Sequence, residues 1–389
     1  MTPSASAAVC RPGATAPPAA ARDGEPPLCR VLMTVDTLGG VWTHALELAA
    51  ALRSSGVHIT MATMGAPLTT AQRASLAGLF HVTVFERRCK LEWMAEPWED
   101  IAAASDWLLE LETNTRPDVI HVNGYVHAAL PFRAPTLAVG HSCRCSWFAA
   151  VHGCDPPRQW NAYRRQVRRG LSAADLVTAP TVAMLENLRR RYGAFRSAAA
   201  VPYGRRAATL RPGVKEPLVL TVCGNWELEY YTELLDRVAA RLHWPVYAAC
   251  AEKRTDTADV NSMEWAWLGS PGEPELAGWY ARAAIFALPA RFEPFGMAAL
   301  KAGLAQCALV LGDIPSLREV WGRAALFVPP DDPEALARAI NRLATDDALR
   351  NQYAARARAR AQIYTPERMA RGYLALYRAL RQVAGLSTR

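Results

Sequence analysis

The chain has 389 residues, 44 Lys and Arg against 36 Asp and Glu, and 51% hydrophobic residues. That hydrophobic share excludes a chain disordered throughout; single cores stop growing at about 250–300 residues, so two ordinary domains are expected. The net charge of +8 permits an anionic ligand or a membrane surface but falls far short of a nucleic-acid tail.

The 9 cysteines are an odd count set mostly in apolar runs. They read as reduced thiols of a cytoplasmic protein rather than a disulfide framework. No apolar run approaches the roughly 18 residues of a membrane-crossing helix. Residues 1–28 are Ala- and Pro-rich, without a basic start or a continuous apolar stretch. They read as a disordered extension, not a secretory signal.

Ordered patterning begins at residue 30. RVLMTVD (30–36) is a short apolar run ending in the turn TLGG. Residues 41–56 follow with helical periodicity, then a β-rich run at 57–64. Strand, Gly turn, helix and strand make a βαβ unit. The pattern repeats through strands at 81–86, 118–124, 135–142, 175–179 and 198–204. Helices at 98–114, 157–171 and 182–192 alternate with them.

A second series starts near residue 216. Strands at 217–224, 245–251, 284–290, 307–313 and 324–330 are almost wholly apolar, as parallel strands buried on both faces are. Helices are expected at 229–242, 273–283, 297–304 and 333–345. A loop carrying Arg318 and Glu319 follows the strand at 307–313. The last helix, 366–385, starts on Pro and is long enough to leave the second unit. The division is therefore an extension at 1–28, α/β units at 29–205 and 206–365, and a final helix at 366–389.

Ligands of doubly wound sheets bind beyond the C-terminal strand ends, so the residues there are the candidates. Gly39 and Gly40 lead into a helix N-terminus, where free N–H groups favour phosphate or a polar oxygen. The bland alternative is a tight turn alone. His141 ends the strand PTLAVG and is placed to orient a hydroxyl or share a proton, or to serve as a structural histidine. His141, Cys143, Cys145, His152 and Cys154 cluster, but their spacing is not that of zinc ligands, so no metal site is expected.

The richest segment is ARFEPFGMAALKAGLAQCALVLGDIPSLREVWG (290–322). Glu293 stands at a turn where it can accept from sugar-like hydroxyls. The Phe295 and Gly296 amides begin the next helix, which favours an anion. An ordinary βαβ turn remains the alternative reading.

With Glu293, Pro294, Phe295, Gly296, Leu300 and Ala302 in register, this segment resembles the Glu-x7-Glu signature of the retaining glycosyltransferases of family 4. The stretch GGVWTHALELAAAL and the strand ending in His141 are similar to that family too. The resemblance spans about residues 30–380. It implies the GT-B fold: two Rossmann-like domains facing across a cleft, with a C-terminal helix crossing back. It implies sugar transfer from a nucleotide-sugar donor, of UDP or GDP type, to a small-molecule acceptor with retention, and no metal or other cofactor. His141 and Glu293 would be the catalytic pair. Gly39, Gly40, Phe295, Gly296 and Glu319 would line the donor site.

The chain departs from the family pattern at three places. The second signature carboxylate is Lys301, which cannot accept from ribose hydroxyls. Asn225 and Tyr230 stand where Arg and Lys usually face the diphosphate, with Glu227 and Glu229 added. The family's Asn-Gly at the interdomain strand end is Tyr203-Gly204 here, and Arg205 and Arg206, which follow it, are candidate replacement phosphate contacts. A glycosyltransferase with a changed donor pocket is the adopted reading. A repurposed enzyme with an atypical donor, or a non-catalytic GT-B binding protein, are the alternatives.

Arg164, Arg165, Arg168 and Arg169 share a helix with Trp160, Tyr163 and Val167. They form either a weak membrane-surface patch or a solvated face, the latter favoured. No nucleic-acid motif accompanies them. Oligomeric state is not legible.

Overall fold

The computed structural model describes residues 29–224, 228–250, 265–383 and 385; side chains at 209, 223 and 228–232 are also outside the description. The first domain holds the strands β1 (Cys29–Asp36), β2 (Val57–Gly65), β3 (Val82–Arg88), β4 (Val119–Val122), β5 (Thr136–Val139), β6 (Leu176–Ala179) and β7 (Ala198–Ala200). Its helices are α1 (Gly40–Leu52), α2 (Thr70–Ser75), α3 (Trp98–Thr115), α4 (Arg144–His152), α5 (Asn161–Ala173) and α6 (Val182–Tyr192). The strands form one parallel sheet in the order β3-β2-β1-β4-β5-β6-β7.

The second domain runs β8 (Glu216–Cys223), α7 (Leu228–Val238), β9 (Val246–Cys250), β10 (Trp265–Gly269), α8 (Glu273–Arg282), β11 (Ala283–Leu288), α9 (Met297–Leu304) and β12 (Ala308–Gly312). It continues through α10 (Pro315–Trp321), β13 (Leu326–Val328), α11 (Pro333–Thr345) and α12 (Asp347–Ala361). Its parallel sheet has the order β10-β9-β8-β11-β12-β13. Both sheets reverse direction of growth once, between β1 and β4 and between β8 and β11. Those switch points open crevices at the C-terminal strand ends. The apolar strands are covered on both faces: Leu32, Ile120 and Val177 pack on one side of the first sheet, Val31, Val119 and Leu137 on the other.

Local sequence sets the helix starts. Thr181, Asp332 and Asp346 accept amides of their own first turns and so cap α6, α11 and α12. Gly39 precedes α1 with φ 73°, a backbone that side-chain-bearing residues rarely adopt.

The segment expected as a loop around Arg318 and Glu319 is instead α10. Pro315 starts it, and Leu317, Val320 and Trp321 bury one face, so packing decides for a helix. Strand β7 is shorter than expected, because from Val201 the chain turns toward the second domain. The Cys residues at 29, 89, 143, 145, 154 and 307 are free thiols, whereas Cys250 is disulfide-bonded, which corrects the expectation of thiols throughout.

The last helix, α13 (Pro366–Val383), returns to the first domain. Met369, Ala370, Tyr373, Tyr377 and Leu380 join the cluster of β1 and α1 residues there. The outgoing and returning crossings touch: the Arg205 amide donates to the Tyr364 carbonyl at 3.0 Å. A Cβ on Gly204 would sit 2.2 Å from the Thr365 carbonyl oxygen, so only glycine permits the contact. No described helix is long and apolar enough to cross a membrane.

Candidate functional site

A cavity of about 710 Å³ lies between the C-terminal ends of the two sheets. The first domain contributes Asp36 from the end of β1, Gly39 and Gly40, Asn123 after β4 and His141 after β5. The second contributes Gly224 after β8 and Glu293 after β11. Of the sequence candidates, Gly39, Gly40, His141 and Glu293 line it together.

His141 is held by two partners. Its Nδ1 lies 2.6 Å from the Tyr203 hydroxyl and its Nε2 2.7 Å from Asn123 Oδ1. Asn123 Nδ2 donates to the Thr34 carbonyl, so Oδ1 is the acceptor and His141 donates from Nε2. The Tyr203 hydroxyl then donates to Nδ1. Asn123 Oδ1 also accepts from His121 Nε2 at 3.1 Å, and His121 Nδ1 meets the Tyr377 hydroxyl at 2.7 Å. Burial, with neighbouring His44 and His121, holds His141 well below its ordinary pKa. Burial alone brings His44 down to about 3. His121 also falls to about 3, through burial first and His44 second. The three rings are therefore neutral at physiological pH. Both nitrogens of His141 are engaged within the protein.

Glu293 Oε1 accepts the Gly296 amide at 2.9 Å and the Phe295 amide at 3.2 Å. Those two amides, expected to face a ligand, are turned onto the chain's own carboxylate. Burial raises the Glu293 carboxyl against the pull of these amides. Phe295 is buried against Tyr203, with ring centroids 5.1 Å apart.

The other candidates are placed elsewhere. Lys301 donates to Glu273 at 2.6 Å. Arg205 is clamped between Glu273 at 3.0 Å and Glu47 of α1 at 3.3 Å. Burial opposes the charge on Glu273, but Lys301 and Arg205 outweigh it and hold the carboxyl below its usual range. Arg205 thus bridges two carboxylates instead of meeting a phosphate, and exposed Arg206 stands outside the cavity lining. Glu319 is also outside that lining, because its carboxylate caps α6 across the domain boundary, at 2.9 Å from both the Val182 and Ala183 amides. Asn225 lies outside the described residues. Tyr230 belongs to α7, its side chain outside the description.

Sequence reasoning missed Asp36, Glu47, Glu92 and Asn123 as lining residues, and marked Tyr203 only as a departure from the family pattern. Asp36 ends β1, so the strand-end rule pointed at it. Glu92 follows β3 in an irregular connection and carries no local signal. Its Oε2 accepts the Val126 and Tyr125 amides at 2.9 and 3.2 Å. Burial, with Asp36 adding to it, raises Glu92 to about 7 despite those amides. Burial likewise raises Asp36 to about 6, against hydrogen bonds from the Leu38 amide and Trp93 Nε1. Among the described residues, no group of three His, Cys, Asp or Glu side chains is placed to hold a metal ion.

The family model for Glycosyltransferase Family 4 matches residues 38–204, and that for Glycosyl transferases group 1 matches residues 219–346. A D-inositol 3-phosphate glycosyltransferase of Nocardioides sp. is 35% identical over 111 residues, 28% of this chain and 24% of the relative. The corresponding protein of Corynebacterium urealyticum is 27% identical over 237 residues, 58% of this chain and 54% of the relative. The chain thus spans about half or less of the curated relatives it matches. Among solved structures, sucrose-phosphate synthase from Thermosynechococcus elongatus superposes with TM-score 0.76 at 18% identity, covering 91% of this chain and 100% of that one. An Anabaena protein solved with UDP and glucose gives TM-score 0.68 at 14% identity, covering 90% and 100%. At these identities the structural likeness is one of fold.

Proposed function

The chain belongs to glycosyltransferase family 4, and from that premise we propose that it moves a sugar from a nucleotide-sugar donor to an acceptor in the interdomain cavity. Anomeric configuration is retained and no metal takes part. The observation that carries this reading is the pairing of Glu293 with the Gly39–Gly40 turn on facing walls of one cavity. Glu293 offers an acceptor atom to the donor sugar's hydroxyls. The N-terminus of α1 has no side-chain cap, so its first amides are available to phosphate oxygens.

Retention is supported by the state of His141. Its nitrogens are engaged and its ring is neutral. The acceptor's proton then passes to the leaving phosphate oxygen. The C1–O bond to phosphate breaks as the bond to the acceptor oxygen forms on the same face. Stabilising the departing phosphate is the main electrostatic task. The solved neighbour that holds UDP and glucose, and the curated relatives named for inositol 3-phosphate, make UDP-sugars and cyclitols the first compounds to try.

The test is a thermal-shift panel with UDP, GDP, ADP and TDP, joined to hydrolysis of the matching sugar nucleotides. A ligand that binds only the native state raises the melting temperature. No shift with any diphosphate, and no hydrolysis in the presence or absence of EDTA, would sink this reading. Loss of turnover in EDTA would remove the metal-free part alone.

A further inference from the structure

The first-domain half of the cavity has a charge character that the proposed transfer does not use. Asp36 and Glu92 both line it. Neither forms an ion pair among the described residues. Both are half-buried and accept neutral hydrogen bonds, Asp36 from the Leu38 amide and Trp93 and Glu92 from the Tyr125 and Val126 amides, so two carboxylates share the wall with no described cation against them. Burial raises both carboxyls, as expected where no positive charge faces them.

The nearby cations are otherwise occupied. Lys90 donates to the backbone carbonyls of Ala95 at 3.1 Å and Glu96 at 3.2 Å. Arg144 lies over the rings of Trp147 at 4.5 Å and Trp160 at 5.1 Å. A second observation points the same way. His127 lines this wall, is 4% exposed, and its Nε2 has no hydrogen-bond partner.

Resting on the transfer reading above, we infer that the acceptor is an aminated ring compound, whose ammonium group meets Asp36 and Glu92, and that phosphorylated rings are turned away. This separates the chain from the curated relatives named for inositol 3-phosphate. Two carboxylates repel a phosphate dianion in the same space where they attract an ammonium.

Calorimetric titration of the full chain with scyllo-inosamine, myo-inositol and myo-inositol 3-phosphate tests it, with no turnover required. The amine is expected to bind about tenfold tighter than inositol, and the phosphate about tenfold weaker. Asp36→Asn and Glu92→Gln, which keep the shape of each side chain, should each shrink the preference for the amine to about threefold or less. Equal affinities, a reversed order, or no binding of the amine up to about 10 mM overturns the inference. If the nucleotide panel fails while the cyclitol order holds, the transfer reading falls and the ligand class stands.

Discussion

The Glu319 carboxylate of the second domain accepts the backbone amide of Val182 in the first, at 2.9 Å and across 137 residues of sequence. The same carboxylate takes the Ala183 amide at 2.9 Å. Next to it, the Thr181 hydroxyl donates to the Pro294 carbonyl at 2.9 Å, one residue from Glu293. A helix N-terminus of one domain is therefore capped by an anion from the other. The cap can form only when the cleft has its present width.

Removing that cap should loosen the domain pair. Glu319→Ala is expected to cost about 1–2 kcal/mol, the worth of an anion at a helix start plus charge-assisted bonds at an exposed site. Denaturant unfolding measures the cost, and small-angle scattering should show a larger radius of gyration. An unchanged radius would mean the domains are held by other contacts.

Lys301 and Glu273 should behave as a pair. Lys301→Glu sets two carboxylates against each other and is expected to lower stability by about 1–2 kcal/mol. Adding Glu273→Lys restores the pair with reversed signs but sets an ammonium against Arg205, so only part of the loss should return. Additive losses in the double variant would show that the 2.6 Å contact contributes little in solution.

Asn123 Oδ1 accepts from both His121 and His141. Asn123→Ala leaves two buried N–H groups without partners, with an expected cost of about 2–4 kcal/mol. Asn123→Asp should instead raise the imidazole pKa values, because a carboxylate favours the charged ring. NMR titration of the ring signals reads this directly; rings that stay neutral to low pH in Asn123→Asp would contradict it.

The carboxyls and histidines pull stability in opposite directions with pH. Glu92, raised to about 7, and Asp36, raised to about 6, bind protons more tightly when folded. Their contribution is complete below the ordinary carboxyl range and drains away as pH climbs through 6 and 7. His44 and His121, lowered to about 3, do the reverse. Their contribution is present above the ordinary imidazole value and is lost as pH falls toward 3. Glu92→Gln should therefore gain about 1–2 kcal/mol relative to the parent between pH 5 and pH 8. A stability difference that stays flat across that range would refute the assignment.

The fold was legible because its strands are continuous apolar runs between polar turns, as in LVLTVC and ALVLGD. Strand β10 was missed: WAWLG is brief and aromatic, and its partner β9 shows its place only in the sheet. Helix α12 was missed because Arg-rich DALRNQYAARARARA hides its buried stripe in small residues, Ala354, Ala357 and Ala361. At the site, position after a strand found His141 and Glu293. It could not tell that His141 would be saturated by Tyr203 and Asn123, since Tyr203 is 62 residues away. Arg205 read as a phosphate ligand because its two carboxylates come from α1 and α8, which nothing in the local sequence connects to it.

Helix α13 adds a matter of timing. Tyr377 hydrogen-bonds His121, and Tyr373 reaches His44 at 3.4 Å. On the ribosome, residues 29–200 emerge long before this helix does. Domains usually close as they are made, from the N-terminus onward. Here the earlier domain has an unfilled seat, lined by imidazoles, until residues 366–383 are made. Its histidine cluster is completed after synthesis of the second domain, so a chain cut short before residue 366 leaves the older half unfinished as well.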